Sequence, residues 1–258
     1  MSRVFDFTQA ILRRPAASVV DGLRAGEGPS PSHEGVLAEH RAYAAALEAA
    51  GLAVDVLEAL EAYPDSLFVE DPVFVLPEGA ILLNPGAPSR AGEAAELAPA
   101  LRRHFPALER LAEGHADGGD VLILPDEILI GLSARTDMAG AEALSRWLEG
   151  LGRRARIVAP PPGVLHLKTA CALLDEETMV AAPALADAGL FGALEIVPTS
   201  EGEAAAANLL RVNDVVLIGE SFPRTIERIV NRGHAVRPLP VEEIGRIDAG
   251  LSCMSLRW

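Results

Sequence analysis

The stretch VLILPDEILIGLS (121–133) consists of two short apolar runs with the turn Pro-Asp-Glu between them. Runs of Val, Ile and Leu of this length, interrupted by turn residues, are typical of a β-hairpin. Helical spacing of apolar residues follows at 139–150, and the segment LGRRARIVAP (151–160) then passes from a glycine into another Val/Ile run. The predicted order is therefore strand, strand, helix, strand.

The same order recurs along the chain, and a fixed period of this kind is the signature of a repeat architecture. About five such units account for most of the 258 residues, and RVFDFTQAILRR (3–14) could supply the partner strand for a last unit that ends CMSLRW. We therefore predict a ring of five α/β units. Further hairpins are predicted at 72–84, 167–182 and 209–219, further helices at 33–50, 91–104 and 223–232, and further strands that end near 59, 198 and 240.

One polar residue stands immediately before each paired run, and a cysteine precedes the last short strand. In a ring, equivalent positions face a common axis, so we expect these five side chains to converge. Their successive separations are 49, 46, 42 and 45 residues. The five are Asp71, Asp120, His166, Asn208 and Cys253.

A thiol, an imidazole and paired carboxylates suit nucleophilic attack on an amidine or guanidine carbon. A thiol needs a positive neighbour to become a thiolate, which His166 or a bound cation could supply, and His166 could transfer a proton. Two close carboxylates suit a guanidinium, which has donors on several edges. Taken singly, Cys253 is predicted to be a small buried hydrophobe and His166 a core histidine, and it is their joint periodic placement that favours a site. Cys171, inside TACALL, is predicted to be a packing residue.

Composition excludes several classes of protein. With 37 acidic and 22 basic residues the formal net charge is −15, which argues against nucleic-acid binding. That charge is compatible with a small cationic substrate or with a solubilising surface. No stretch approaches 18 uncharged apolar residues and no apolar leader is evident, so we predict a cytoplasmic protein without a membrane span. Two cysteines cannot form a disulfide scaffold or a four-ligand zinc site by themselves.

Six short motifs in order carry a resemblance that spans essentially the whole chain. They resemble the dimethylarginine dimethylaminohydrolase family of the guanidine-modifying amidinotransferase superfamily. The resemblance implies a five-bladed α/β propeller of pseudo-repeated ββαβ units around a central active site, as one catalytic domain over residues 1–258. The motifs are FVEDP (68–72), NPGAPSR (84–90), DGGDVL (117–122), GLSARTD (131–137), VLHLKT (164–169) and IDAGLSC (247–253).

The implied activity is hydrolysis of Nω-methylated arginine to citrulline and dimethylamine or methylamine through a covalent thiouronium intermediate. By the same resemblance, Cys253 is the nucleophile, His166 the general acid and base, and Asp120 a catalytic carboxylate that holds the guanidinium with Asp71. No metal or cofactor is expected. The partner is a small-molecule substrate, with neither nucleic acid nor membrane, and the protein is a monomer or a homodimer.

The resemblance also assigns a set of substrate contacts. Asp65 receives the α-amino group, and two arginines clamp the α-carboxylate. Arg14 stands about where the family commonly has an apolar contact, in a Gly/Pro/Ser-rich stretch (13–32) that is either a lid or an ordinary surface loop. The full set of expected substrate contacts is Asp65, Glu70, Asp71, Arg90, Arg135, Ile247, Asp248 and Arg14.

Two alternatives stay open at the level of sequence. The first is a deiminase of arginine or a related guanidine on the same fold, and the second is a non-catalytic propeller that only binds. The family tripeptide Arg-Thr-Asn reads Arg135-Thr136-Asp137 here, which adds a charge near the expected carboxylate clamp. Pocket width near the leaving nitrogen separates a hydrolase of methylated arginine from the deiminase.

Overall fold

The computed structural model describes residues 3–24, 26 and 28–258, and within them the chain forms five three-stranded sheets. The sheets follow one another along the chain, which confirms the predicted plan of five units. In chain order the elements are β1 (Gln9–Arg13), α1 (His33–Ala49), β2 (Ala53–Leu57), β3 (Val73–Leu76), β4 (Gly79–Leu82), α2 (Glu93–Leu101), β5 (Glu109–Arg110), β6 (Val121–Ile123), β7 (Ile128–Gly131), α3 (Met138–Gly150), β8 (Ala155–Val158), β9 (Cys171–Leu173), β10 (Thr178–Ala181), α4 (Pro183–Ala186), β11 (Glu195–Pro198), β12 (Leu210–Val212), β13 (Val215–Gly219), α5 (Pro223–Val230), β14 (Ala235–Leu239), α6 (Glu242–Gly245) and β15 (Leu256–Arg257).

Each sheet has one antiparallel strand pair, which is a hairpin in four of the five, and one parallel outer strand. In the third unit β7 pairs antiparallel with β6, where Val121 faces Ile130, and parallel with β8, where Ile128 faces Ala155. A parallel pair needs a crossover connection, which α3 provides. The stretch 121–160 therefore folds as the sequence predicts.

The ring closes through strands from opposite ends of the sequence. β1 pairs antiparallel with β15, with Ile11 opposite Leu256, and parallel with β2. The segment around β1 thus completes the unit that CMSLRW begins, as expected. None of the helices in the described ranges is long and apolar enough to cross a membrane.

The buried faces of β7 show how the units pack. Ile128 and Ile130 contact the cluster that contains Leu144 and Leu148 of α3, whereas Leu129 belongs to the cluster of the fourth unit. Alternate side chains of a strand point to opposite faces, so a strand buried on both faces is apolar throughout. This arrangement explains why the hairpin runs show no polar alternation.

Two helix ends are set by particular residues. Asp137 caps α3, because its Oδ1 accepts a hydrogen bond from the Gly140 amide at 2.7 Å. Its charge therefore serves the helix N-terminus. α4 is only four residues long and ends at Ala186, and Gly189 and Gly192, both with positive φ, lie in the connection to β11.

Candidate active site

Three of the five periodic polar residues line one cavity of about 140 Å³ at the ring axis. Asp71 precedes β3, His166 precedes a 3₁₀ turn (Leu167–Thr169) before β9, and Cys253 lies in a 3₁₀ turn (Ser252–Met254) before β15. The repeat thus brings together residues that are far apart in sequence. Predicted site residues that line this cavity are Asp65, Asp71, Arg90, Arg135, His166, Ile247, Asp248 and Cys253.

His166 is paired with a carboxylate that the sequence argument did not select. Its Nε2 lies 3.0 Å from Oδ2 of Asp117, and both side chains are buried. Burial lowers the pKa of His166, but Asp71, the hydrogen bond to Asp117 and Asp120 outweigh it and raise the pKa to about 9. The imidazole is therefore protonated at neutral pH in the free protein.

Asp117 and Asp120 begin and end the same 3₁₀ turn, and they have different neighbours. Asp120 Oδ2 accepts from the hydroxyls of Ser133 at 2.6 Å and Thr136 at 2.7 Å, and its Oδ1 accepts from the Leu167 amide at 3.0 Å. Asp120 does not line the cavity. It fixes the turn that follows His166, while Asp117 contacts the imidazole directly.

Gly119, between the two carboxylates, has no room for a side chain. A Cβ there would lie 2.9 Å from Asp71 Oδ1 and from His166 Nδ1. Instead, the Gly119 amide donates to Asp71 Oδ1 at 3.1 Å. The second glycine of the motif DGGDVL is therefore required because the side chains of Asp71 and His166 approach the backbone there.

Asp71 is held as a carboxylate by a buried cation. Burial raises the pKa of Asp71, but His166 and Arg90 together lower it below its ordinary value. Arg90 Nη1 donates to Asp71 Oδ2, its Nε donates to Glu93, and its Nη2 donates to Glu93 and to the Phe68 carbonyl at 2.8 Å. Of the five N–H groups of Arg90, at most one on Nη1 remains for a substrate carboxylate.

Two other arginines of the cavity are less engaged. Arg135 is half-buried, and within the described residues its guanidinium has no hydrogen-bond or ion-pair partner. Its backbone packs against Gly86, where a Cβ would lie 2.3 Å from the Arg135 carbonyl oxygen. Arg24 is exposed at the rim, where its Nη1 donates to the Gly28 carbonyl at 3.0 Å. These two cations are available to a ligand.

Asp65 connects the loop after β1 to the cavity. Its Oδ1 accepts from the Leu23 amide at 3.0 Å, and Leu23 lines the cavity beside it. Burial raises the pKa of Asp65, although Arg90 and this amide oppose the shift. Arg14 was expected to contact the substrate, but its side chain is exposed next to β1 and does not line the cavity. The loop 13–32 therefore meets the site through Gly22, Leu23 and Arg24; Ala25 and Glu27 lie outside the described residues.

Glu70 points away from the cavity that holds Cys253, contrary to expectation. Its Oε1 contacts Lys168 Nζ at 2.7 Å and Arg257 Nη2 at 3.0 Å, and its side chain lines a separate cavity of about 120 Å³. Glu70 and Asp71 both lie in the turn before β3, and there their side chains enter different cavities. The backbone amide of Glu70 still donates to the Cys253 carbonyl at 3.2 Å.

Cys253 is a buried thiol in an acidic surrounding. Burial, Asp71 and Glu70 raise its pKa to about 11, so the sulfur is protonated at neutral pH in the free protein. A cation placed between Asp71 and the sulfur would favour the thiolate. The free site therefore pairs a neutral thiol with an imidazolium.

One group of side chains in the described part of the chain is spaced to hold a cation. Ligand atoms of Asp71, Asp117 and His166 lie within 4.8 Å of one another, and all three residues are buried. A metal ion or an organic cation with several N–H donors would satisfy the same oxygens. Because His166 carries a proton at neutral pH, a metal ion would have to displace it.

Comparisons with known proteins agree with this geometry. The family model for arginine deiminase matches residues 57–216. The chain is 37% identical to the N(G),N(G)-dimethylarginine dimethylaminohydrolase of Pseudomonas aeruginosa over 98% of its own length and 100% of the relative. It is 34% identical to the Streptomyces coelicolor protein of the same name, over 96% of each chain.

Solved structures show the same fold. The Pseudomonas aeruginosa enzyme, crystallised as a mutant with citrulline, superimposes with a TM-score of 0.95 over 98% of this chain and 100% of that one. The N-terminal domain of a cyanobacterial arginine dihydrolase shares the fold at 18% identity, with a TM-score of 0.87. The chain therefore belongs to the arginine deiminase family and, within it, to the dimethylarginine dimethylaminohydrolases.

Proposed function

We propose that this protein hydrolyses Nω-methylated arginine to citrulline and dimethylamine or methylamine. The cavity carries this proposal, because a thiol and a carboxylate-bound imidazole stand with Asp71 while Asp65 and Arg135 line the same space. Such a site suits a zwitterionic amino acid with a cationic tail. The whole-length relatives named as dimethylarginine dimethylaminohydrolases, one of them crystallised with citrulline, support the same substrate class.

The first half of the reaction forms a bond to sulfur. A guanidinium beside Asp71 brings positive charge to the thiol, whose pKa then falls from its raised value and whose proton is released to solvent. The Cys253 thiolate attacks the guanidino carbon, and the imidazolium of His166 protonates the leaving nitrogen. The C–N bond breaks, the amine departs, and a thiouronium remains on Cys253.

The second half uses the same imidazole as a base. Having given up its proton, neutral His166 accepts one from a water molecule as that water attacks the thiouronium carbon. The C–S bond breaks and returns its electron pair to sulfur, and the hydroxyl of the adduct releases its proton to solvent, so citrulline and the thiolate are the products. Asp117 stabilises the imidazolium at each stage and keeps Nε2 in one orientation.

In this proposal the amino-acid end of the substrate is held by Asp65, Arg135 and Arg24. Asp65 is an acceptor for the α-amino group, and Arg135 has free donors for the α-carboxylate. Arg24 adds positive charge at the rim, whereas Arg90 mainly secures Asp71.

We further propose that residues 1–258 form one catalytic domain and that the protein is cytoplasmic. In this proposal it is a monomer or a homodimer, without nucleic-acid or membrane partners.

Replacing Arg135 by alanine should raise KM for dimethylarginine about 10- to 100-fold, because a charge-assisted hydrogen-bonded contact is lost. Arg24→Ala should have a smaller effect, about 2- to 5-fold, because the side chain is exposed. Steady-state kinetics would measure both. Arg14→Ala is the matched control, and the α-amide of the same substrate should abolish the effect of Arg135→Ala. An unchanged KM in Arg135→Ala would contradict this placement of the carboxylate.

The function itself is tested by measuring citrulline from asymmetric dimethylarginine, monomethylarginine and arginine in parallel. We expect turnover of the methylated substrates with little from arginine. Equal turnover of plain arginine would replace the proposal by the deiminase alternative. If no guanidine is turned over and a thiol-reactive amidine fails to label Cys253, the protein is a binding module.

A further inference from the structure

Asn208, the fourth of the five periodic polar residues, lies outside the chemistry described so far. It follows a 3₁₀ turn (Ala204–Ala207) and, like Asp71, His166 and Cys253 in their own units, it stands shortly before a strand, here β12. Unlike those three, Asn208 lines neither the cavity that holds Cys253 nor the one that holds Glu70. Its side chain is instead in contact with the segment that leads to the nucleophile.

Two contacts join the Asn208 amide to that segment. Its Oδ1 accepts a hydrogen bond from the backbone amide of Ser252 at 3.3 Å. It also covers Gly250, where a Cβ would lie 2.2 Å from Asn208 Cγ. Gly250 has no positive φ, so space for this amide, rather than backbone conformation, requires the glycine.

The contacted residues are those that set the position of the sulfur. Cys253 donates its backbone amide to the Gly250 carbonyl at 3.3 Å, closing the turn that Asn208 covers. From the opposite side, the Glu70 amide donates to the Cys253 carbonyl at 3.2 Å. The turn that carries the thiol is thus contacted by the Glu70 backbone, by the Asn208 amide and by Arg257, whose Nη1 donates to the Ser252 carbonyl at 3.0 Å.

We propose that Asn208 is a positioning residue for Cys253, holding the turn 250–253 so that the thiol meets the guanidino carbon bound beside Asp71. The inference deepens the proposed function and rests on it. An amide suits this place better than a carboxylate, because Asp71 and Glu70 already disfavour the thiolate. A third negative charge beside the turn would add to that effect.

Three variants test this role against a merely structural one. Asn208→Ala removes the acceptor, and we expect kcat to fall about 100-fold with KM changed less than about 3-fold, because reacting atoms are misplaced by a fraction of an ångström. Asn208→Asp keeps the shape and the acceptor, so the pH profile of Cys253 alkylation by iodoacetamide should shift to higher pH. Asn231→Ala, an exposed asparagine at the end of α5, is the control and should match the wild type.

A double-mutant cycle adds a test that does not depend on general stability. Gly250→Ala should lower kcat because its Cβ collides with Asn208, whereas Asn208→Ala makes room for that Cβ. The double variant should therefore be no slower than Asn208→Ala alone. Additive losses in kcat would overturn the proposed contact.

Unchanged kcat in Asn208→Ala, or an unshifted alkylation profile in Asn208→Asp, would overturn the positioning role. Alkylation needs no substrate, so the profile in Asn208→Asp is measured even if the wild type hydrolyses no guanidine. Failure of the proposed function is seen in the wild type, and failure of this inference is seen in the difference between variants.

Discussion

Cys253→Ser should abolish citrulline formation, with kcat lower by on the order of 10⁴-fold or more. A serine hydroxyl has no access to the anionic form at neutral pH, and among the described residues the hydrogen-bond partner of the Cys253 sulfur is the Ser252 hydroxyl, which is not a base that could activate it. A citrulline assay measures the loss, and mass spectrometry with a thiol-reactive amidine should map the wild-type adduct to Cys253.

Cys171→Ser is the matched control, because it removes the other thiol of the chain. Cys171 is fully buried, and its thiol donates to the Leu167 carbonyl at 3.3 Å. It lines the second cavity, the one that Glu70 enters, and not the cavity that holds Cys253. We expect it to retain activity and to lose about 1 kcal/mol of unfolding free energy. Persistent turnover in Cys253→Ser would refute the mechanism.

Asp117→Asn should lower kcat by about 10²- to 10⁴-fold, because the charge that holds His166 as an imidazolium is removed while its shape stays. His166 acts first as an acid, so the rate should fall as pH rises through its pKa of about 9. In Asp117→Asn this alkaline limb should move to lower pH. Reaction rates measured from pH 6 to pH 10, at intervals of about one pH unit, show how far this limb moves.

The same group affects stability. The pKa of His166 lies above its ordinary value of 6.5, so the contribution of this imidazole to the free energy of unfolding is fully present below about pH 6.5 and is lost as pH rises through about 9.

Asp126→Asn replaces an exposed acid at a hairpin turn and is the control for Asp117→Asn. It should change neither the rate profile nor the pH dependence of stability. An alkaline limb unmoved in Asp117→Asn would assign it to a group other than His166.

The sequence predicted the fold well because each unit repeats a local pattern. Runs of Val, Ile and Leu around short turns identified the hairpins, and glycines identified most outer strands. β5 (Glu109–Arg110) was not predicted, because it is only two residues long and both residues are exposed. Periodicity also located Asp71, His166 and Cys253 correctly on one cavity, since equivalent positions of a ring share an axis.

Sequence periodicity did not predict the direction in which side chains point or the residues that they contact. Periodicity selected Asp120, which directly precedes its strand, although a 3₁₀ turn brings Asp117 to the imidazole instead. DGGDVL already contained Asp117, so weighing both of its acids would have found the residue. No spacing indicates that Glu93 engages Arg90, or that Leu23 rather than Arg14 reaches the cavity, because those contacts depend on how separate units pack.

Ring closure has a consequence for folding kinetics. The pairing of Ile11 with Leu256 joins the most distant strands of the sequence, and contacts of such long range form slowly because loop-closure entropy opposes them. We expect β15 to join β1 late, after the local hairpins have formed. Cys253 lies three residues before β15, so the thiol would reach its final environment in that same slow step, and enzymatic activity would return with the last refolding phase.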